Sequence, residues 1–230
     1  VPGDFQAWDH AGLKAVMVTD PALSYLSIVF GTDRSTVPDA IDLASAPIWN
    51  GVTPTLVAPF ELDEDAEAQL LAAGLTRGRD RGLAFRRLDD HPSGRVAEER
   101  LHVVEVGAER ADFLHVLLGG YETDGAISAL IEAEHCLRAV RGFVAFEHGI
   151  PIAAAAMTFH DDVAVLGGAS TLREHRGKGA QSCLLAHRLR LAVEADCTLA
   201  AATVVPDSVS AANLARAGFD VDRRSAWKNA

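Results

Sequence analysis

Two glycines separated by one residue set the chemistry to look for. In Thr171-Leu172-Arg173-Glu174-His175-Arg176-Gly177-Lys178-Gly179-Ala180-Gln181-Ser182, Gly177 and Gly179 let backbone N–H groups come close to a ligand, and a helical pattern starts directly after them. Glycine amides followed by a helix N-terminus, with its unpaired N–H groups and its dipole, form an anion nest whose natural guest is a pyrophosphate. Two other phosphate motifs fail at named positions. A Walker loop has Ser or Thr after the Lys and a Gly five residues before the Gly-Lys pair, where this chain has Gly179 and Leu172. A dinucleotide fingerprint requires glycine at position 182, which is Ser182.

Composition narrows the partners. The chain has 230 residues, 49% hydrophobic and 23% charged, which predicts a folded globular protein of one large or two small domains. Its formal net charge is −11 and its only lysines are Lys14, Lys178 and Lys228, so nucleic acid is not expected as a partner, whereas a cationic small substrate suits the field. Cys136, Cys183 and Cys197 are widely spaced, odd in number and contain no C-x-x-C pair, which argues for buried free thiols and against a disulfide framework or a metal site. The longest apolar stretch, Ile150 to Phe159, is far short of the ~20 residues that span a bilayer. The first ten residues, VPGDFQAWDH, have neither the basic start nor the apolar segment of a secretory signal, so no membrane partner and a cytoplasmic location are expected.

The elements that must hold the glycine segment alternate between strand and helix. Leu13 to Thr19 and Ser24 to Phe30 read as a hairpin around Asp20-Pro21, followed by a helix from Pro38 and a short strand at Thr55 to Ala58. Asp63 caps a helix through Leu70 and Leu71 that stops at Gly74, and Gly82 to Leu88 returns as a strand. Asp89-Asp90-His91-Pro92-Ser93-Gly94 is polar and aperiodic, which places a linker there between a domain of residues 1–90 and another of residues 98–230. The second domain reads as a strand at Leu101 to Val106, helices near Ala111 to Leu118 and Ala126 to Leu137, and strands at Gly142 to Glu147, Pro151 to His160 and Val163 to Ser170. The tight turns His148-Gly149 and Asp161-Asp162 make those three strands an antiparallel meander. A helix from Ala180 to Ala195, a strand from Leu199 to Val205, a helix from Ser208 to Ala217 ending at Gly218, and a last strand from Phe219 complete it. Gly167-Gly168 predicts a bulge or bend in its strand.

From Leu101 onward the sequence resembles the GNAT superfamily of acyl-CoA-dependent N-acyltransferases. The family signature R-G-x-G-x-G/A is matched by Arg176-Gly177-Lys178-Gly179-Ala180-Gln181 at three of its four specified positions, with Gln181 the departure. Ser208 to Phe219 is similar to the family's closing helix, which ends at Gly-Phe. The resemblance implies an α/β fold with a mixed, mostly antiparallel sheet flanked by helices, beside a smaller α/β N-terminal domain. It implies acetyl-CoA, or another acyl-CoA, as co-substrate, with no metal. The pyrophosphate would sit at Arg176, Gly177, Lys178, Gly179, Ala180, Gln181 and Ser182, and the pantetheine arm along main-chain groups of Ala169, Ser170, Thr171 and Leu172, with Asn213 contributing its amide. The reaction implied is direct attack of a primary amine, on a small molecule or peptide, upon the thioester, and the assembly is open to a homodimer.

That reaction needs a base, an oxyanion donor and an acid. The donor expected is a backbone N–H near Ala169 to Thr171. Many family members keep a Tyr four residues before the closing glycine; here Leu214 stands there and cannot give a proton to the leaving thiolate. Catalytic candidates are therefore Glu147, His160 and Tyr121, with His148, Asp161, Glu134 and His135 as further bases. Leu214 also keeps open an acyl-CoA-binding module with little catalysis, and transfer to a thiol or hydroxyl would use the same site. In the N-terminal part, Leu70-Leu71-Ala72-Ala73-Gly74-Leu75 echoes Leu214-Ala215-Arg216-Ala217-Gly218-Phe219, which suggests a degenerate GNAT-like half-repeat.

Overall fold

The computed structural model describes residues 5–10, 12–59, 61–88, 101–107 and 110–229. Two compact units divide the chain, residues Val1–Gly82 with Asp222–Ala230 and residues Leu83–Val221.

In the first unit, β1 (Phe5–His10), β2 (Leu13–Val18) and β3 (Ile28–Phe30) run antiparallel in sequence order. β2 alternates buried Leu13, Ala15 and Met17 with exposed Lys14, the period of two that a half-buried strand demands. The hairpin expected after it is present, but its second strand starts only at Ile28. Pro21 opens a 3-10 turn over Pro21–Leu26, and the Asp20 side chain accepts from the Ala22 N–H. α1 (Val37–Ala44) crosses over to β4 (Thr55–Pro59), which lies parallel to β3. α2 (Glu64–Ala72) is capped by Asp63, whose carboxylate accepts from the Ala66 N–H at 2.8 Å, and ends at Gly74 with φ +78. β5 (Leu75–Arg77) and β4 both pair with β12 (Asp220–Asn229), whose Trp227 joins Leu13, Val29, Leu56 and Leu70 in this unit's core.

The second unit has the sheet order β6 (Arg81–Arg87), β11 (Leu199–Val204), β10 (Val163–Thr171), β9 (Ile150–His160), β8 (Arg141–Glu147) and β7 (Leu101–Val106). The expected meander β8-β9-β10 is antiparallel throughout, with His148, Gly149 and Asp161 at positive φ in its turns. Successive residues of β9 point to opposite faces. Ala154 and Ala156 meet Phe113, Val116 and Leu117 of α3 (Ala111–Tyr121), which is followed by α4 (Gly125–His135). Ala153, Ala155 and Met157 meet Leu184, Leu185 and Leu189 of α5 (Ala180–Glu194). Four consecutive alanines thus leave room for a helical layer on each face. α6 (Val209–Arg216) ends before Gly218, which has φ +82. The result is the mixed, mostly antiparallel sheet flanked by helices that the sequence implies. Among the described residues no helix is long and apolar enough to cross a membrane.

The division differs from the expected one. Asp89 to Gly94 lies outside the described residues, and the boundary falls at Gly82, because β6 is a neighbour of β11 and Leu88 N–H donates to the Thr198 carbonyl. The last strand, read as part of the 98–230 domain, belongs from Asp222 onward to the first unit, where it pairs with β4 and β5.

Two stretches of the chain share an order: three antiparallel strands, a helical crossover to a parallel strand, a short helix, a glycine at positive φ and a strand. β1-β2-β3-α1-β4-α2-β5 corresponds in this way to β8-β9-β10-α5-β11-α6-β12. In each, a 3-10 turn follows the third strand, Arg34–Thr36 in one and Arg173–His175 in the other. In the first unit that turn runs straight into α1; in the second, Arg176-Gly177-Lys178-Gly179 intervenes before α5.

Candidate functional site

The edge of β10 opens where the glycine segment begins. β10 pairs in parallel with β11 only at Val163–Val165 against Leu199–Ala201, yet it continues along β9 as far as Thr171. The register against β9 shifts between Gly167 and Ser170, a bulge with one extra residue on β10. Beyond Val165 the two parallel strands therefore diverge, and the β11-facing edge of β10 offers main-chain groups to a ligand in the manner of strand addition.

The bulge requires its glycines. Gly168 has φ +49, and a β-carbon there would lie 2.7 Å from Cδ2 and 3.2 Å from Cε1 of His135, with Nε2 closer still. A β-carbon on Gly167 would meet nothing within 4 Å, so that position faces open space.

Each successive residue of the opened edge is held from a different direction. Arg188, 4% exposed on α5, donates from Nη1 to the Ala156 carbonyl at 2.9 Å and to the Gly167 carbonyl at 3.4 Å. Burial lowers its pKa to about 10, well above neutrality, so it remains a cation. Ala169 directs its N–H toward the Tyr121 hydroxyl. The Ser170 hydroxyl donates to the Val116 carbonyl at 3.0 Å, an approach permitted by Gly120, where a β-carbon would lie 2.6 Å from Ser170 Oγ. Gln181 Nε2 donates to the Ser170 carbonyl at 2.5 Å and to Thr171 Oγ1 at 3.1 Å. Arg176 donates from Nε to the Thr171 carbonyl at 3.2 Å and from Nη2 to the Gly120 carbonyl at 2.9 Å, and it pairs with Glu122 at 3.0 Å.

Immediately beyond, Gly177 and Gly179 have φ +77 and +83, and a β-carbon on either would meet nothing within 4 Å. Gly179 is the N-cap of α5 and brings no side chain to cap it; the first helical bond runs from Cys183 N–H to the Gly179 carbonyl at 3.0 Å. The N–H groups of Ala180, Gln181 and Ser182 thus have no acceptor within the helix, and no acidic side chain lies in its first turn. Unpaired backbone donors and the helix dipole, with the Lys178 charge in the same segment, are what an anion requires. Lys178 Nζ is 3.7 Å from Glu147 Oε2, an ion-pair distance, and His175 Nδ1 lies 3.5 Å from the same oxygen without hydrogen-bonding to it.

The three catalytic candidates separate in space. Tyr121 closes α3 beside the bulge. Although Tyr121 is 39% exposed, partial desolvation of its hydroxyl raises its phenol pKa above the ordinary value; the Ala169 N–H pulls it back, the Glu134 carboxylate raises it further and the Arg188 cation lowers it. Glu147 is buried at the end of β8, where it ties down the glycine segment through His175 and Lys178. His160 pairs with Val163 at the other end of β10, six residues from Ala169 and so roughly 20 Å away along the strand. It exchanges a hydrogen bond with Thr158 Oγ1 at 3.1 Å. Asn213 is half-buried on α6, with its side-chain oxygen accepting from Arg216. Leu214 is 7% exposed and packs in the core with Phe219. Leu172 follows β10, with its N–H donating to the Ile152 carbonyl at 3.0 Å, and Ser182 is exposed in the first turn of α5.

Arg188 is a residue that the sequence analysis does not single out. Its signal was its spacing, four residues from both Leu184 and Ala192, which places it inside the apolar stripe. The Gln181 brace has no comparable signal, because it depends on where the bulge turns the Ser170 carbonyl. Among the described residues there is no cluster of three or more potential metal ligands.

Residues 111–219 match the family model described as Acetyltransferase (GNAT) family. The chain is also similar to several solved structures. One, a GCN5-related N-acetyltransferase from Kribbella flavida, has 20% identity and a TM-score of 0.67, with 98% of this chain and 89% of that one covered. A tandem GNAT protein from the clavulanic acid biosynthesis pathway has 19% identity and a TM-score of 0.66, covering 100% of this chain and 83% of that one. A GCN5-related N-acetyltransferase from Sphaerobacter thermophilus has 13% identity and a TM-score of 0.67, covering 94% and 79%. No curated protein matches the chain.

Proposed function

This chain has the GNAT superfamily fold, and on that premise we propose that its second unit transfers an acetyl group from acetyl-CoA to a primary amine. The observation that carries the reading is the divergence of β10 from β11 next to an uncapped, glycine-opened helix N-terminus. In this reading the pyrophosphate takes the amides from Arg176 to Ser182, and the pantetheine arm and thioester lie along Ala169 to Leu172, with Asn213 alongside. The side chains of Gln181 and Arg176 already brace β10, so the main chain and Lys178 do the binding.

The amine attacks the thioester carbonyl, and negative charge grows on its oxygen. The Ala169 N–H, which is directed at the Tyr121 hydroxyl oxygen, is the donor we assign to that oxygen, taking it as the phenol turns toward the sulfur. A phenol held above its ordinary pKa stays protonated at neutral pH and so can donate to the departing sulfur. Tyr121 thereby supplies from α3 the group that Leu214 does not supply from α6. The first unit has the same element order without the four residues of the glycine segment. We read it as a degenerate half-repeat that contributes acceptor selectivity rather than CoA binding.

A second reading, an acyl-CoA-binding module with little catalysis, is favoured by one observation, the burial of Leu214 where relatives keep an acid. Thiol release from acetyl-CoA over a panel of primary amines separates the two. Amine-dependent release supports the transferase, and saturable binding without release supports the module.

A further inference from the structure

Arg188 lies within the apolar stripe of α5 and is buried, so its guanidinium has been taken out of water. Burying a cation is costly unless an opposite charge accompanies it. Among the described residues no carboxylate pairs with Arg188: its donors go to the Leu184, Ala156 and Gly167 carbonyls, at 3.3, 2.9 and 3.4 Å. Carbonyls satisfy N–H groups but leave the charge uncompensated. Gly167 is the residue at which β10 begins to shift register, and two residues on, Ala169 directs its N–H to the Tyr121 hydroxyl. Tyr121 ends α3, which packs on the face of the sheet opposite to α5. The other charges around the phenol are the Glu134 carboxylate of α4, which opposes its ionisation, and Arg176 with Glu122, which pair with each other beside the Gly120 carbonyl. His135 lies against Gly168 between them. A cation without an anion and a proton-bearing phenol thus flank one bulge from opposite faces.

We propose that Arg188 is a positioning residue of the transfer, whose buried charge is the counter-ion of the phenolate that Tyr121 becomes. The proposal rests on the transferase reading above and supplies what that reading does not give, the reason a partly desolvated phenol can release its proton. The amine nitrogen bonds to the thioester carbon and gives one N–H proton to solvent, while the carbonyl π pair moves onto oxygen. As that pair returns, the C–S bond breaks, its electrons stay on sulfur, and the sulfur takes the Tyr121 hydroxyl proton. The electron pair left on the phenol oxygen is the negative charge that Arg188 stabilises across the bulge until a proton from solvent restores the phenol. Amine and thioester thus give amide and thiol with no net change in the protein. The coupling is already present at rest: Arg188 lowers the Tyr121 pKa and Tyr121 raises that of Arg188, as two groups of opposite charge require.

The chain has two tyrosines, so in a Tyr25→Phe background the ultraviolet absorption of phenolate titrates Tyr121 alone. Arg188→Met keeps an unbranched apolar stem and removes the charge, and it should move that midpoint up by about 0.5 pH or more. With a primary amine that the wild type acetylates, kcat should fall by up to about tenfold, the change in phenolate stability that a displacement of 1 in pKa represents. The Kd for acetyl-CoA, read by calorimetry, should stay within about threefold. In a Tyr121→Phe background the same substitution should change kcat by less than about twofold, because the charge acts through the phenol, whereas a merely structural role lowers kcat alike in both. Should Arg188→Met not fold, Arg188→Gln, which keeps a donor for the strand carbonyls, is read in the same way. A midpoint that the substitution leaves in place, or equal losses of kcat in the two backgrounds, overturns the assignment and leaves the transferase reading standing. A wild type that releases no thiol with any amine overturns both.

Discussion

Gly168→Ala is the perturbation whose outcome the bulge geometry fixes most tightly. The backbone there is at φ +49, where a non-glycine residue costs roughly 1–2 kcal/mol. The added methyl would also stand 2.7 Å from His135 Cδ2, in a site closed by Phe113 and the Ile131 carbonyl, and overpacking of this kind costs about 1–3 kcal/mol. The single variant should therefore lose on the order of 3 kcal/mol. His135→Ala removes the obstruction, so in the double variant the overpacking part should vanish, giving a coupling of about 1–3 kcal/mol between two touching sites. Trp8, Trp49 and Trp227 all belong to the first unit, so tryptophan fluorescence would follow the wrong part of the chain. Urea unfolding followed by amide hydrogen exchange in β9 and β10 reads the right one. A Gly168→Ala protein within about 0.5 kcal/mol of wild type, or additive single effects, would refute the contact between His135 and the bulge.

Leu214→Tyr should lower stability by about 1–3 kcal/mol without raising kcat, since the ring would have to enter a filled core; denaturation and steady-state turnover check it. Gln181→Ala leaves the Ser170 carbonyl without its side-chain donor and should cost about 1–3 kcal/mol, seen as faster amide exchange from Ser170 to Leu172. Because partial desolvation, with Glu134, raises the Tyr121 pKa against the pull of Ala169 and Arg188, the acid is present below and lost above a point higher than the ordinary phenol value. The rate should thus hold up to about pH 10. Tyr121→Phe should lower kcat ~10²–10⁴-fold and remove the alkaline limb, and an unchanged profile would exclude the phenol as donor.

Much of the second unit was legible because its signals are local. The meander rests on two-residue turns at His148-Gly149 and Asp161-Asp162, and helix ends rest on Ser208, Gly218 and Gly179. The glycine-opened start of α5 was legible for the same reason, since glycine spacing acts within four residues. What the sequence hid is the product of pairing between distant segments. That β6 sides with β11, and that the final strand pairs with β4, depends on sheet neighbours and not on the composition of the linker. The convergence of His135, Tyr121 and Arg188 on Gly167 to Ala169 brings three helices to one bulge. Each of these residues, taken alone, reads as surface or core.

The central claim is that the opened glycine segment ahead of α5 binds the pyrophosphate of acetyl-CoA. Isothermal titration of acetyl-CoA into the wild type and into Gly179→Glu tests it directly, because the substitution sets a carboxylate in a space that is open and lined by backbone donors. The account predicts saturable binding by the wild type and an affinity at least about tenfold weaker in a variant that keeps its circular dichroism, as ~1.4 kcal/mol of lost interaction would give. A folded Gly179→Glu protein that binds acetyl-CoA as tightly as the wild type would contradict it.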